Sequence, residues 1–250
     1  MEEKKRPIAV IGAMGVEVEY FLQIMDTAVG RHMGMYRFYE GQIDGYPVVV
    51  VWSLMGHVNA AAATALLIEE YDPKYIIIQG TAGGHSPDVH RGDIVIGEKV
   101  VELGMYFSPH KNEEEDPDLF DRNFPGAEFL DGEEQVMKTM LESDQQLVKL
   151  AETVPYNKGK VKKGIIASAD AWNRELPYIA HLRKRFGTEC EEMEGFAVLQ
   201  TAWGWGIPAI DIRIISNNEL YREETYQREL GAECQRFVLE FIRRIIARMA

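Results

Sequence analysis

Short apolar runs alternate with segments of helical periodicity along most of the chain. Apolar runs bounded by turn residues predict strands at residues 8–12, 75–79, 93–101, 161–168 and 209–215. Apolar positions at helical spacing predict helices at residues 16–25, 59–70, 143–152, 176–186, 195–203 and about 224–248. Two more strand-like runs, 36–42 and 47–53, flank Asp44-Gly45, which is a hairpin turn signal. The alternation predicts an α/β fold with a largely parallel or mixed sheet that helices cover on both faces.

The size of the chain favours a single domain. Its 250 residues are 46% hydrophobic, which allows a substantial core, and no internal repeat or linker divides residues 1–250. The segment at about 104–134 is long and acidic, contains proline and carries Glu113-Glu114-Glu115-Asp116. A loop of this length is typical of a pocket lid, a dimer contact or a mobile surface, and the sequence leaves these alternatives open.

Charge and cysteine usage exclude several classes of function. A net charge of −13 argues against nucleic acid and anionic membranes as partners. No apolar stretch reaches the ~18 residues that a membrane span needs, and residues 1–7 lack the apolar core of a signal peptide. Cys190 and Cys234 form neither a disulfide framework nor a metal spacing, which favours a reducing cytoplasmic environment.

The six histidines have no metal-ligand spacing, and we predict no metal site. His57 begins a predicted helix, while His85 and His90 flank a Pro-Asp turn. We interpret these three histidines as surface or capping residues.

The segment Glu191-Glu192-Met193-Glu194-Gly195 places three carboxylates around one methionine, just before an apolar run. Acidic residues suit the positive end of a helix dipole, so the segment is consistent with a helix N-terminus. Carboxylates crowded this closely are also stabilised by a ligand that donates hydrogen bonds. A vicinal diol is such a ligand, because one carboxylate accepts from both hydroxyls. Both interpretations stay open at this point.

Unusual residues cluster directly after the predicted strands, where ligands bind in open α/β sheets. They predict one shared pocket, and they are Met14, Glu17, the segments 80–84 and 169–173, and Ser216-Asn217-Asn218. Gly80-Thr81-Ala82-Gly83-Gly84 allows close approach of a ligand to the backbone. This segment lacks the Gly-Lys-Ser/Thr ending of a P-loop. The segment therefore forms either part of a binding site, to which Thr81 adds a hydroxyl, or a plain tight turn.

Two side chains in this region have two interpretations each. Trp172 lies among small and polar residues, and its ring either stacks on a planar base or packs a loop onto the core. Arg213 lies inside an apolar strand, where a buried guanidinium needs partners from the Glu191–Glu194 group. Arg213 therefore either orients a site carboxylate or forms a purely structural ion pair.

Taken together, these motifs resemble a known family. They occur in the order and spacing of the nucleoside phosphorylase and nucleosidase superfamily. The matching motifs are Gly12-Ala13-Met14 with Glu17, Ser53-Leu54-Met55-Gly56, Gly80-Thr81-Ala82-Gly83-Gly84, Gly92-Asp93-Ile94-Val95, Glu192-Met193-Glu194-Gly195 and Arg213-Ile214-Ile215-Ser216-Asn217. The resemblance covers about residues 8–245 and is greatest to the 5'-methylthioadenosine/S-adenosylhomocysteine nucleosidases.

The resemblance implies a fold and an activity. The fold would be a single-domain three-layer α/β/α sandwich with a twisted mixed sheet. The activity would be cofactor-free hydrolysis of the N-glycosidic bond of a purine nucleoside, with water as the nucleophile and an oxocarbenium-like ribosyl transition state. A homodimer in the cytoplasm, a partner loop that closes the pocket, and a role in methionine salvage are also implied.

The resemblance also implies roles for individual residues. Glu17 would activate or position the water, and Asn217 would contact the leaving base. The ribose would be held by Met193, Glu194 and Thr81. The base would contact Trp172, Asn173 and Ser216. The apolar wall would include Met14 and Met55. Arg213 and Glu192 would orient the site.

Asn217 departs from the family pattern, because methylthioadenosine nucleosidases typically carry an aspartate there as the general acid at purine N7. An amide donates a hydrogen bond but does not transfer a proton as a carboxylic acid does. Asn218 or Glu219 are candidates to compensate. The departure keeps three alternatives open: a 6-oxopurine nucleoside hydrolase of the futalosine or inosine type, a purine nucleoside phosphorylase, and a catalytically weak nucleoside-binding protein. Hydrolysis is favoured over phosphorolysis, because Glu17 and Glu19 would repel phosphate and no cation accompanies them in the early turn.

Overall fold

A computed structural model describes residues 5–222 and 228–249. Its strands are β1 Ile8–Gly12, β2 Asp26–Met33, β3 Tyr36–Ile43, β4 Tyr46–Trp52, β5 Tyr75–Gly84, β6 Ile94–Glu102, β7 Ala127–Asp131, β8 Glu134–Lys138, β9 Met140–Glu142, β10 Val161–Ser168, β11 Thr188–Glu192 and β12 Ala209–Asn218. Its helices are α1 Glu19–Ile24, α2 His57–Tyr71, α3 Gln145–Ala151, α4 Leu176–Phe186, α5 Gly195–Gly204 and α6 Arg228–Met249. Short 3-10 turns occupy Gly15–Glu17, Leu119–Asp121 and Glu219–Tyr221.

Ten strands form one mixed sheet in the order β11-β10-β6-β12-β5-β1-β4-β3-β2, with β9 paired to β6. Strand β1 pairs in parallel with β4 and β5, whereas β12 is parallel to β5 and antiparallel to β6. The end of β5 also pairs with β11, so the strands β11, β10, β6, β12 and β5 close into a ring. In this ring the carboxyl ends of β5, β11 and β12 lie next to one another.

Helices cover the sheet on both faces, as the sequence predicts. On one face α2 and α5 bury Leu67 and Phe196 against the sheet. On the other face α1, α3 and α6 bury side chains such as Phe21, Leu147 and Phe241. The two apolar clusters confirm the three-layer α/β/α sandwich. Among the described residues, no helix is both long and apolar enough to cross a membrane.

Local signals place several boundaries correctly. Asp44 and Gly45 have φ values of +48° and +74°, as a tight hairpin turn between β3 and β4 requires. Helix α2 ends at Tyr71, and the next residue, Asp72, is left-handed and precedes a proline. Helix α4 has the predicted bounds, and Gly187, whose φ is +74°, follows its last residue.

Other boundaries differ from the prediction because long-range pairing extends the strands. Strands β5 and β12 continue to Gly84 and Asn218, since the two ends pair with each other in parallel. The segments we predicted to follow these strands therefore form their last residues. Strand β11 was not predicted, because its acidic residues are more typical of a helix N-terminus than of a strand. Strand β2 was also not predicted, since most of its side chains are exposed and it has no apolar alternation.

The segment 104–134 is not a loop throughout. It contains the turn Leu119–Asp121 and strand β7, which forms a hairpin with β8. Strands β7 and β8 form a separate two-stranded sheet. Most of their side chains are exposed, so their sequences have a weaker pattern of apolar residues than the strands of the main sheet. Helix α6 is described from Arg228, and residues 224–227 of the predicted helix lie outside the described residues, as do residues 1–4 of the N-terminal segment.

Candidate active site

A cavity of about 630 Å³ opens at the carboxyl ends of the strands. The residues after β1, β4 and β10 and the last residues of β5, β11 and β12 line it. The structure thus brings the predicted strand-end clusters into one pocket. Of the predicted site residues, the cavity is lined by Met14, Glu17, Met55, Thr81, Trp172, Glu192, Met193, Glu194, Arg213, Ser216 and Asn217.

Glu17 is held rigidly at the floor of the cavity. Its Oε2 accepts from the backbone N–H groups of Ala13 and Met14, both at 3.1 Å. Its Oε1 accepts from the backbone N–H of Thr81 at 2.9 Å and from the Thr81 hydroxyl at 3.2 Å. Burial raises the pKa of Glu17, while Arg213 and these hydrogen bonds oppose the rise. A buried carboxylate with a raised pKa is suited to accept a proton.

Arg213 lines the cavity and lies at the centre of a buried ionic cluster. Its Nε donates to Asp211 at 2.7 Å, its Nη2 to Glu192 at 2.5 Å and its Nη1 to Glu194 at 3.4 Å. Burial raises the pKa of Asp211 to about 7 and that of Glu194 to about 8, against the lowering effect of Arg213. The predicted pairing with the acidic segment is correct for Glu192 and Glu194. Asp211 was missed, although it lies two residues before Arg213 on the same face of β12.

The acidic segment lies at a helix start and beside the cavity. Helix α5 begins at Gly195, and Glu192 Oε2 accepts from the backbone N–H groups of Glu194 and Gly195 at 2.7 and 2.6 Å. Glu192 therefore stabilises a helix start. Glu194 also lines the cavity, and its Oε1 accepts from the backbone N–H of Gly56 at 3.0 Å. Met193 lines the cavity between them.

The loop after β10 forms one wall of the cavity. The Trp172 side chain is 63% exposed, so it does not pack into the core, and the guanidinium of Arg174 lies 5.6 Å from the centre of its ring. Asn173 does not line the cavity, in contrast to the prediction. Its backbone and side-chain nitrogens instead donate to Glu191 at 2.6 and 2.7 Å.

The sequence also misplaced two buried residues. The sequence assigned no site role to Glu191, but it is 7% exposed and lines the cavity. We interpreted His85 as a surface or capping residue, but it is 1% exposed and its Nε2 lies 3.1 Å from Glu191 Oε2. Both errors arise from the unpredicted pairing of β11 with β5, which encloses the two side chains.

Asn217 is fixed at both ends of its amide. Its Oδ1 accepts from the Ser216 hydroxyl at 2.8 Å, and its Nδ2 donates to Glu219 Oε1 at 3.3 Å. Glu219 in turn accepts from Arg174 Nε at 3.2 Å. The pairing of β12 with β5 shifts by one residue at Ser216, a bulge that changes which side of the strand Asn217 faces. Glu219 and Arg174 both line the cavity, and we had not assigned Arg174 to the site.

The profile of the phosphorylase superfamily matches residues 7–248. The chain belongs to the phosphorylase superfamily. Within this superfamily, it is 32% identical over 212 residues to the 5'-methylthioadenosine/S-adenosylhomocysteine nucleosidase of Halalkalibacterium halodurans. The aligned residues cover 84% of this chain and 84% of that enzyme.

Solved structures of phosphorylase-superfamily members have the same fold. The nucleosidase of Neisseria meningitidis in complex with methylthio-immucillin-A has a TM-score of 0.78 and 25% identity, with 95% of this chain and 99% of that chain covered. The nucleosidase of Colwellia psychrerythraea in complex with adenine has a TM-score of 0.76 and 27% identity, with 96% of each chain covered.

The apolar side of this superfamily member's cavity is built from methionines. Met14 and Met193 are partly buried, while Met55 is 57% exposed. Thioethers are flexible and polarizable, so they adapt to apolar groups of varied shape. A wall of this kind adds no charge to the cavity.

Proposed function

We propose that this protein is a purine nucleosidase that hydrolyses the N-glycosidic bond of nucleosides of the 5'-methylthioadenosine/S-adenosylhomocysteine type. The products are the free base and the ribose derivative. One observation carries the proposal: the Glu17 carboxylate, held by Ala13, Met14 and Thr81, lines the same cavity as Glu194 and Trp172. Two bacterial proteins that are similar to this chain are named 5'-methylthioadenosine/S-adenosylhomocysteine nucleosidases, which supports the proposal.

In the proposed mechanism, the nucleoside lies with its base against Trp172 and its ribose against Met193 and Glu194. Glu194 accepts from the 2' and 3' hydroxyls. The C1'–N9 bond breaks with its electron pair passing to the base. A water oxygen bonds to C1', and Glu17 accepts the water proton. The base takes a proton from solvent, while Asn217 supplies a hydrogen bond to it.

The charges around the cavity support water rather than phosphate as the nucleophile. Arg213 is surrounded by Asp211, Glu192 and Glu194, and Arg174 pairs with Glu219. Neither arginine therefore presents an uncompensated positive charge to an anion. Glu17 adds a carboxylate at the position of the nucleophile.

We expect the protein to release adenine from 5'-methylthioadenosine at the same rate with and without inorganic phosphate. The measurement is chromatography of the base together with assay of the sugar product. Free methylthioribose in both reactions agrees with hydrolysis. A requirement for phosphate, with methylthioribose 1-phosphate as the product, would contradict the role of Glu17. If no base forms while the nucleoside raises Tm, the protein only binds nucleosides.

Gly80 provides the space that Glu17 needs. A Cβ at this position would lie 2.6 Å from Glu17 Oε1 and 3.1 Å from Arg213 Nη1. We expect Gly80→Ala to lower kcat about 100-fold, because a displacement of ~1 Å at a reacting group has an effect of this size. Steady-state kinetics with 5'-methylthioadenosine measures the loss. Gly204→Ala is the control, since a Cβ there meets nothing within 4 Å, and it should retain full activity.

The homodimer, the cytoplasmic location and the role in methionine salvage are further parts of the proposal. The side chains of Met105, Tyr106 and Phe107 are 44, 40 and 61% exposed. Adjacent exposed apolar groups of this kind support a partner contact by the segment 104–134. Sedimentation velocity of the full chain tests the dimer, and a monomer at micromolar concentration would contradict it.

A further inference from the structure

Two buried carboxylate oxygens beside the cavity floor accept no hydrogen bond. They are Asp211 Oδ2 and Glu192 Oε1, and neither has a partner in the part of the chain that the structure describes. Both oxygens lie next to Gly195, where a Cβ would clash with Asp211 Oδ2 and would lie 2.8 Å from Glu192 Oε1. Buried polar atoms are almost always hydrogen-bonded, so two acceptors that meet at one point indicate a hydrogen atom on one of them.

The charges of this cluster do not balance. One guanidinium, that of Arg213, contacts three carboxylates, which belong to Asp211, Glu192 and Glu194. Like charges that are buried together disfavour ionisation of all members, so such a cluster retains a proton. The other titratable groups that interact with the cluster are Glu17, Glu102 with its neighbour His57, and the thiols of Cys190 and Cys234, whose pKa values burial raises.

The hydrogen bonds indicate which carboxyl group holds the proton. Glu192 Oε2 accepts from Arg213 and from the backbone N–H groups of Glu194 and Gly195, and donors of this kind favour an ionised carboxylate. Glu194 lines the cavity, where the hydroxyls of a ligand can donate to it. Asp211 Oδ1 accepts from Arg213 Nε at 2.7 Å, but its Oδ2 has neither a donor nor access to the cavity. Asp211 is therefore the group that gains most from a proton.

We propose that Asp211 is a positioning residue that carries a proton in the folded protein and donates it from Oδ2 to Glu192 Oε1. With Asp211 neutral, the charge of Arg213 is shared by Glu192 and Glu194 only. Glu194 then stays available as an acceptor for the ribose hydroxyls. This role rests on the nucleosidase reaction proposed above, whereas the location of the proton does not.

Infrared spectroscopy detects the proton without turnover. At about pH 6, where exposed carboxyl groups are ionised, we expect the wild-type protein to show the C=O band of a protonated carboxyl group. The band should lose intensity in Asp211→Asn. Asp72→Asn, at a side chain that is 73% exposed, is the control and should leave the band unchanged. A wild-type protein without the band, as a water molecule or a cation between the two oxygens would produce, would overturn the proposal.

The unfolding equilibrium gives an independent measurement. Burial raises the pKa of Asp211 from 3.8 to about 7, so the stability due to its proton is present at low pH and is lost as the pH rises through the folded-state value. Asparagine does not titrate. From urea unfolding between about pH 4.5 and pH 6.5, we expect the ratio of the wild-type unfolding constant to that of Asp211→Asn to increase about 10-fold per pH unit, the value for one proton. A constant ratio, or the same increase relative to Asp72→Asn, would contradict the proposal.

Activity tests the positioning role through two variants of similar size. Asp211→Asn keeps both hydrogen bonds, since its Nδ2 donates to Glu192 and its Oδ1 accepts from Arg213. Asp211→Leu removes both. We expect kcat/KM for 5'-methylthioadenosine to be at least about 10-fold higher in Asp211→Asn than in Asp211→Leu, because hydrogen bonds to charged groups have effects of this size. Equal losses in the two variants would overturn the positioning role. If the wild type releases no base, the proposed function fails, while the infrared and unfolding results still decide where the proton lies.

Discussion

Glu17→Gln should lower kcat for nucleoside hydrolysis by about 10²–10⁴-fold, which is the usual contribution of general acid–base catalysis. Glutamine has nearly the same shape, and its amide oxygen still accepts from the backbone of Met14 or Thr81. It does not accept a proton from water. KM should change little, because the contacts proposed for Trp172 and Glu194 remain. Steady-state kinetics with 5'-methylthioadenosine and 5'-methylthioinosine measures both constants.

The pH profile distinguishes this catalytic role from a structural one. Burial raises the pKa of Glu17 above its ordinary value of 4.5. The base acts only when it is deprotonated, so kcat/KM should fall as the pH decreases through this raised pKa. The acidic limb should disappear in Glu17→Gln. Glu142→Gln, at a side chain that is 62% exposed, is the control. Equal losses in the two variants would contradict the assignment.

Arg213→Met should lower the free energy of unfolding by about 3–5 kcal/mol, the usual effect of removing one partner from a buried ion pair. Arg213 is 1% exposed, and its loss leaves Asp211, Glu192 and Glu194 without their shared cation. Urea unfolding followed by circular dichroism measures the change. Arg243→Met is the control, because its side chain is 45% exposed, and surface changes usually stay within about 0.5 kcal/mol. A loss below about 1 kcal/mol for Arg213→Met would contradict this role.

The instability of Arg213→Met should depend on pH. Burial raises the pKa of Asp211 to about 7 and that of Glu194 to about 8, and Arg213 opposes both rises. Without Arg213, the pKa values of Asp211 and Glu194 in the folded protein should be higher than in the wild type. They should therefore lie further above the values in the unfolded chain. Stability from such groups is present at low pH and is lost as the pH rises through the folded-state pKa. The free energy of unfolding of the variant should therefore fall more steeply between pH 5 and pH 8 than that of the wild type.

Much of the fold was predictable because the signals are local. The turn at Asp44-Gly45 needs two residues that tolerate positive φ, and the bounds of α4 follow from its apolar spacing and the glycine after it. The strand-end clusters were also predictable, since parallel strands present their carboxyl ends at one edge. Arg213 indicated its carboxylate partners, because a guanidinium inside an apolar strand must be paired.

The base side of the cavity was less predictable, because it depends on strands far apart in the chain. Glu191 and His85 are enclosed by the pairing of β11 with β5, and the acidic sequence of β11 gives no sign of this pairing. Asn173 follows Trp172 directly, yet it turns to Glu191 instead of the cavity. Glu219 reaches Asn217 because β12 continues beyond its apolar run and shifts register at Ser216.

The sequence by itself determined the α/β class, the layered sheet and the residues that gather around a nucleoside-sized cavity. These features follow from the periodicity of apolar residues and from single residues whose chemistry requires a particular environment. The tertiary structure alone decided that Glu191 lines the cavity, where Gly83 pairs with Glu191 on one side and with Asn217 on the other. That choice depends on the register of three strands, and register is set by the packing of the whole sheet rather than by any one segment.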